Sequence, residues 1–183
     1  MPSAAENRTE PLSSVEVARL ADLHGRHVFG VAFRMLGDRA QAEDVQQDVF
    51  VRLLERPMGE VTSWQALLTT LTVRLAIDRM RQRKRWRLLQ PLWRASTSQS
   101  VASAEDEVLQ IEKAERLRRE ITRLKPREAE CFTLRCIQGL EVADIAAATG
   151  MSANHVGVCL HRATRALETR LGRVFNQMPE IES

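Results

Sequence analysis

"EVADIAAATGMSANHVGVCLHRATRALETRL", residues 141–171, carries two helical patterns parted by one glycine. The first predicts a short helix from about Val142 to Ala148, and the second runs from Ser152, an N-cap residue, to about Leu171. Gly150 between them can take the positive φ that a tight turn requires. Ala146 lies where the two helices must approach closely, and Ile145, Val156 and Leu160 can close a small core between them. This is helix-turn-helix spacing, in which the second helix can enter a DNA major groove with its first turns facing the bases. An ordinary helical hairpin in a bundle would satisfy the same residues.

Immediately upstream, "LKPREAECFTLRCIQGL", residues 124–140, opens a helix with Pro126 at its first position and turns at Gly139. Helical pattern resumes as early as Glu105. Before that, "RASTSQSVASAED", residues 94–106, is small and polar with almost nothing to bury, the composition of a flexible linker. A domain boundary is expected there.

The N-terminal half is helical too. From Val15 to Leu36 the apolar residues Val17, Leu20, Val28, Val31 and Met35 recur at three- and four-residue spacing, with His24 in the one gap. "LGDRAQAED" then supplies Gly37 as a stop, Asp38 as an N-cap and Gln41 at the capping-box position, so a second helix runs from about Arg39 to Glu55. Pro57 and Gly59 end it. Ser63 can cap a third helix with Leu67, Leu68, Leu71, Leu75 and Ile77 on its buried side and its end near Trp86. No alternating strand pattern occurs, so the expected class is all-α: two small helical domains joined by a flexible linker. The expected bounds are a flexible tail over 1–14, a first domain over 15–90, a linker over 91–104, a second domain over 105–176 and a C-terminal tail over 177–183.

Charge is distributed unevenly. "VRLAIDRMRQRKRWR", residues 73–87, holds seven cations against one acid, Asp78. With Arg94 added, that stretch takes eight of the chain's 27 Lys and Arg and one of its 24 Asp and Glu, which leaves 19 cations against 23 acids elsewhere. A basic stripe on a mildly acidic chain marks a phosphate-bearing partner more often than a solubility device. Arg74, Arg79, Arg81, Arg83, Lys84 and Arg85 are the phosphate candidates, and Asp78 is expected to orient Arg74 and Arg81, each about one turn away. Trp64 reads as core, whereas Trp86 is either a stacking platform or packed.

Other functions fit the chain less well. At 183 residues and 44% apolar composition it can build a core in each domain. Nothing approaches about 18 consecutive apolar residues, and the polar start "MPSAAENRTEPLSSVE" lacks the apolar stretch of a secretory signal, so a cytoplasmic location without membrane insertion is expected. Cys131, Cys136 and Cys159 read as buried, reduced thiols. The histidines, His24, His27, His155 and His161, fall in two separated pairs without acidic partners at useful spacing, so no catalytic residue is assigned and an enzyme is not expected. His155 and Cys159 sit one turn apart but do not fill a tetrahedral site, so neither a metal nor any other cofactor is expected.

"AEDVQQDVFVRLLE" (42–55), "LAIDRMRQRKR" (75–85) and "LKPREAECFTLRCIQGLEVADIAAATGMSANHVGVCLHRATRAL" (124–167) resemble, in order, successive signatures of the small two-domain extracytoplasmic-function (ECF) sigma factors of the sigma-70 family. The resemblance covers about residues 15–90 and 105–172. It implies a σ2-like three-helix bundle followed by a σ4-like helix-turn-helix domain. It further implies that Glu43, Asp44, Gln47 and Asp48 dock on the β′ clamp helices of core RNA polymerase, and that the basic third helix holds and melts the promoter −10 element. The helix after Ser152 would read the −35 element through Ser152, Asn154 and His155, with His161, Arg162 and Arg165 on phosphate, while the same domain touches the β flap. An anti-sigma factor is the expected regulator. Three departures stand out: Arg74 where such proteins commonly have Asn, Leu67 where they have Trp, and "HVGVC" (155–159) where a Thr-Val-Lys-Ser-Arg run is usual. The competing reading is a stand-alone helix-turn-helix regulator, for which the acidic strip and the basic third helix would be surplus.

Overall fold

The computed structural model describes residues 10–57, 59, 61–89 and 105–172, with side chains over 10–57, 59, 61–85 and 111–172. The linker expected over 91–104, the C-terminal tail over 177–183, most of the N-terminal tail and the side chain of Trp86 lie outside the described residues. The elements are α1 (Ser14–Leu36), α2 (Arg39–Glu55), α3 (Trp64–Leu89), α4 (Glu105–Ile121), α5 (Pro126–Phe132), a π-helical turn (Thr133–Ile137), α6 (Val142–Thr149) and α7 (Ala153–Leu171). No strand occurs among the described residues.

Local chemistry sets the boundaries. Ser13 and Glu16 form a reciprocal capping box at the start of α1, and Gly37 closes that helix in the left-handed region at φ 66°. Asp38 caps α2 by accepting from the Gln41 amide at 2.9 Å, and that hydrogen bond holds its carboxyl below the usual range. The tail expected over 1–14 is anchored at its end, because Leu12 is buried and its amide donates to the Leu53 carbonyl at 3.1 Å.

Helices α1, α2 and α3 pack as a three-helix bundle. α2 buries Ala42, Val45, Val49 and Leu53 at helical spacing, each larger side chain contributing about 1.5–3 kcal/mol by leaving water. Between α1 and α3, His27 Nε2 lies 2.8 Å from the Thr69 hydroxyl, which itself donates to the Gln65 carbonyl at 2.7 Å. Burial, then the nearby Arg34 and His24, hold the His27 imidazole below its ordinary pKa.

The third helix differs from its expected one-sided pattern. Leu68, Leu75 and Ile77 are buried as expected, but Leu67 and Leu71 are only half-buried, and Thr70, Thr72, Val73 and Ala76 are buried as well. A helix buried on more than one face is enclosed by partners on more than one side. The second partner is the C-terminal half, which lays α5, the π-helical turn and α6 against α3. α3 also continues to Leu89, beyond the end expected near Trp86. The C-terminal half packs α4, α5, α6 and α7 around Ile121, Phe132, Leu134, Ile145 and Leu167, and these join the N-terminal core in one apolar cluster.

Candidate functional site

The helix-turn-helix forms as its spacing predicts. Gly150 takes φ 70° at the end of α6, and Ser152 Oγ caps α7 by accepting from the His155 amide at 3.2 Å. Ile145 and Val156 are fully buried and Leu160 nearly so, which closes the small core between the helices. Ala146 is half-buried beside them. Along α7, Val156, Cys159, Leu160, Ala163 and Leu167 point inward, leaving Asn154, His155, Val158, His161, Arg162 and Arg165 on the outer face. The hydroxyl of Ser152 is therefore partly engaged in capping, while the other residues expected to read DNA are exposed.

Two of the three cysteines are buried, and Cys136 is half-buried, so the expectation of three buried thiols holds only in part. Burial, and then the neighbouring Cys159 of α7, push the Cys131 thiol on α5 up to about 12. The Cys136 thiol is pushed up to about 11 by burial. Thiols held this high are poor nucleophiles and poor ligands at neutral pH. Among the described residues no three His, Cys, Asp or Glu side chains cluster as metal ligands.

On the N-terminal bundle the acidic strip and the cationic helix meet. Glu43, Asp44 and Gln47 are exposed on α2, and the Asp48 side chain is 43% exposed beside them. Arg79 of α3 reaches back to this strip, donating to Asp48 at 2.8 Å and standing 4.0 Å from Asp44. Arg39 pairs with Glu43 at 2.8 Å across one helical turn. Two arginines thus pair with the strip, which keeps solvent-facing carboxylates.

The cations of α3 divide into two sets. Arg83, Lys84 and Arg85 are exposed near the end of the helix. The other three are engaged: Arg79 by the α2 carboxylates, Arg74 by Glu130 of α5, and Arg81 by the Leu124 carbonyl at 3.0 Å. This corrects the expectation that Asp78 orients Arg74 and Arg81, since both are drawn to the C-terminal half, which brings a nearly buried carboxylate and a backbone carbonyl within reach. Sequence reading missed Glu130. Its only signal was an acid in a segment otherwise read for its proline and apolar spacing.

Two family models match, and in this order: sigma-70 region 2 over residues 20–86 and sigma-70 region 4 over residues 114–167. The chain belongs to the sigma-70 family. That family consists of non-enzymatic transcription initiation factors. The ECF RNA polymerase sigma factor BldN of Streptomyces coelicolor is 32% identical over 154 residues, covering 81% of this chain and 58% of BldN. The probable ECF RNA polymerase sigma factor SigI of Mycobacterium tuberculosis is 32% identical over 162 residues, covering 81% of this chain and 53% of SigI. These matches put the chain in the ECF group, and it spans little more than half the length of either relative. In structure it is similar to the sigma factor RpoE solved in complex with the anti-sigma factor NepR from Bartonella quintana. That likeness has a TM-score of 0.51 at 18% identity and covers 86% of this chain and 98% of RpoE, so it speaks to the fold. No described helix is long and apolar enough to cross a membrane.

Proposed function

We propose that the chain is a sigma initiation factor that binds core RNA polymerase, directs it to promoter DNA, helps to open the duplex and is restrained by an anti-sigma factor. One observation carries this reading. A single three-helix body presents a braced acidic strip on α2 and an exposed cation run on α3, within a chain whose halves match sigma-70 regions 2 and 4.

On this reading Glu43, Asp44, Gln47 and Asp48 meet the basic helical hairpin of the β′ clamp through charge-assisted hydrogen bonds. Arg83, Lys84 and Arg85 bind −10 phosphates directly, joined by Arg74, Arg79 and Arg81 once those are released, because lining a groove with cations favours separated strands. The outer face of α7 meets the −35 element, with Asn154 and His155 toward bases and His161, Arg162 and Arg165 toward phosphate. The C-terminal half also touches the β flap. Residues 15–90 and 105–176 act as separable units joined by 91–104, so that both promoter elements can be spanned. The chain works in the cytoplasm without catalytic residues, metal or cofactor. An anti-sigma partner is supported by the likeness to RpoE, which was solved bound to one.

Run-off transcription with purified core polymerase tests this, comparing the chain with a variant carrying Asp44→Ala, Gln47→Ala and Asp48→Ala. Promoter-dependent transcript from the parent and none from the variant is expected. A polymerase pull-down accompanies it, because losing Asp48 also frees Arg79. Tight sequence-specific DNA binding by the chain alone, with no gain on adding polymerase, would favour the stand-alone regulator instead.

A further inference from the structure

Three long-range interactions tie the C-terminal half to α3 and the end of α1, besides the apolar packing. Arg74 donates to Glu130, Arg81 donates to the Leu124 carbonyl at 3.0 Å, and Arg34 donates to Gln138 Oε1 at 2.6 Å. Arg118 of α4 adds a fourth from the other direction, donating to the Arg34 carbonyl at 3.0 Å. Its guanidinium lies 3.3 Å from where a Cβ on Gly37 would stand, so the glycine also leaves room for this approach.

The central contact is built differently from a surface ion pair. The Glu130 side chain is only 5% exposed, whereas Arg74 is 34% exposed and Arg127 is 51% exposed. Arg127, one turn earlier on α5, donates to the second Glu130 oxygen at 3.0 Å. A buried carboxylate needs a cation, and Arg127 supplies one that travels with it. Arg74 can therefore leave Glu130 without stranding a bare charge.

We propose that Glu130 stands in for a nucleic-acid phosphate and holds Arg74, so that the free chain rests closed, with Arg74 and Arg81 withheld from DNA until the halves separate. This rests on the reading of α3 as a DNA-binding edge. It adds to that reading an internal competitor carried by the chain itself. The closed form lowers the apparent affinity of the α3 edge by the fraction of molecules that are open. An external polyanion, or a polymerase surface that separates the halves, relieves it.

The test uses the full chain without polymerase, in small-angle scattering and in titration with a fluorescent single-stranded oligonucleotide. Arg74→Gln and Glu130→Gln break the same contact from opposite sides. Both are expected to raise the radius of gyration at low salt. Their effects on binding should diverge: Glu130→Gln frees Arg74 and tightens oligonucleotide binding by about fivefold, whereas Arg74→Gln opens the chain but removes the cation and does not tighten it. Arg83→Gln, away from the contact, should weaken binding and leave scattering unchanged. Circular dichroism identifies loss of fold, and if Glu130→Gln fails to fold, Arg74→Gln on the other half still reports the closure. Wild-type scattering retained by the folded variants, or equal binding by Glu130→Gln and the parent, would overturn the proposal. Absence of oligonucleotide binding by every form, with the expected change in scattering, would instead remove the DNA reading of α3 and leave the closure standing.

Discussion

At the scale of single residues, placement decides what ordinary side chains do. His27, half-buried against Thr69, has a pKa held below 6.5 by burial and by neighbouring cationic and imidazole groups. The unfolded chain therefore takes up the proton first as pH falls, so stability conferred by neutral His27 is present above pH 6.5 and is lost below it. Melting temperature should drop between pH 7 and 5.5 by more in the parent than in His27→Gln, and equal drops would show that His27 does not contribute. Two glycines make opposite forecasts. Gly150 sits at φ 70°, where a Cβ costs about 1–2 kcal/mol, so Gly150→Ala should lower the urea midpoint. Gly157 lies inside α7 with nothing within 4 Å of its Cβ position, so Gly157→Ala should raise that midpoint through a gain of about 0.5–1 kcal/mol. Both forecasts come from denaturant titrations of the same kind, and agreement in sign between the variants would contradict the geometry.

At the scale of elements, α3 is where structure and proposed function coincide. Its middle is enclosed on several faces, while its end projects Arg83, Lys84 and Arg85 into solvent. Replacing these three by Gln leaves the core untouched and removes only charges that displace counterions from phosphate. The slope of log affinity against log salt for single-stranded DNA should fall by roughly 0.7 for each phosphate-binding cation replaced, measured by fluorescence titration across a salt series. An unchanged slope would remove these cations from the interface. The helical pattern of α1, α2 and α7 was legible because each has one wet face and a clear apolar stripe. The π-helical turn at Thr133–Ile137 was not, since it inserts one residue into an apolar run whose composition suits an ordinary helix equally well. Leu134 is fully buried there, and the Gln138 amide donates to the Thr133 carbonyl at 3.0 Å, closing the wider turn.

For the molecule as a whole, docking of the two halves is the consequential feature. An apolar cluster continuous across both is braced by Arg34, Arg74, Arg81 and Arg118, and the two halves are expected to unfold together. Calorimetry of the parent at low salt should show one transition, and Arg74→Gln should split or broaden it as each half melts alone. Two resolved transitions already in the parent would mean that the interface contributes little to stability. Because the bracing contacts are partly exposed ion pairs and hydrogen bonds, added salt should act in the same direction as the substitution.

The sequence by itself determined the helices, their caps, the helix-turn-helix and the identity of the charged strips, because each depends on neighbours within a few residues. Asp38, Ser63 and Ser152 cap as their positions require, and Gly37 and Gly150 turn where the pattern breaks. Only the tertiary structure decided which cations are free. Arg74 and Arg83 read alike along the chain, yet one is held by a carboxylate 56 residues away and the other faces water. Spacing along a helix fixes the direction in which a side chain points. What it meets there is fixed by long-range packing, which in this chain sets a nearly buried Glu130 against the most basic helix.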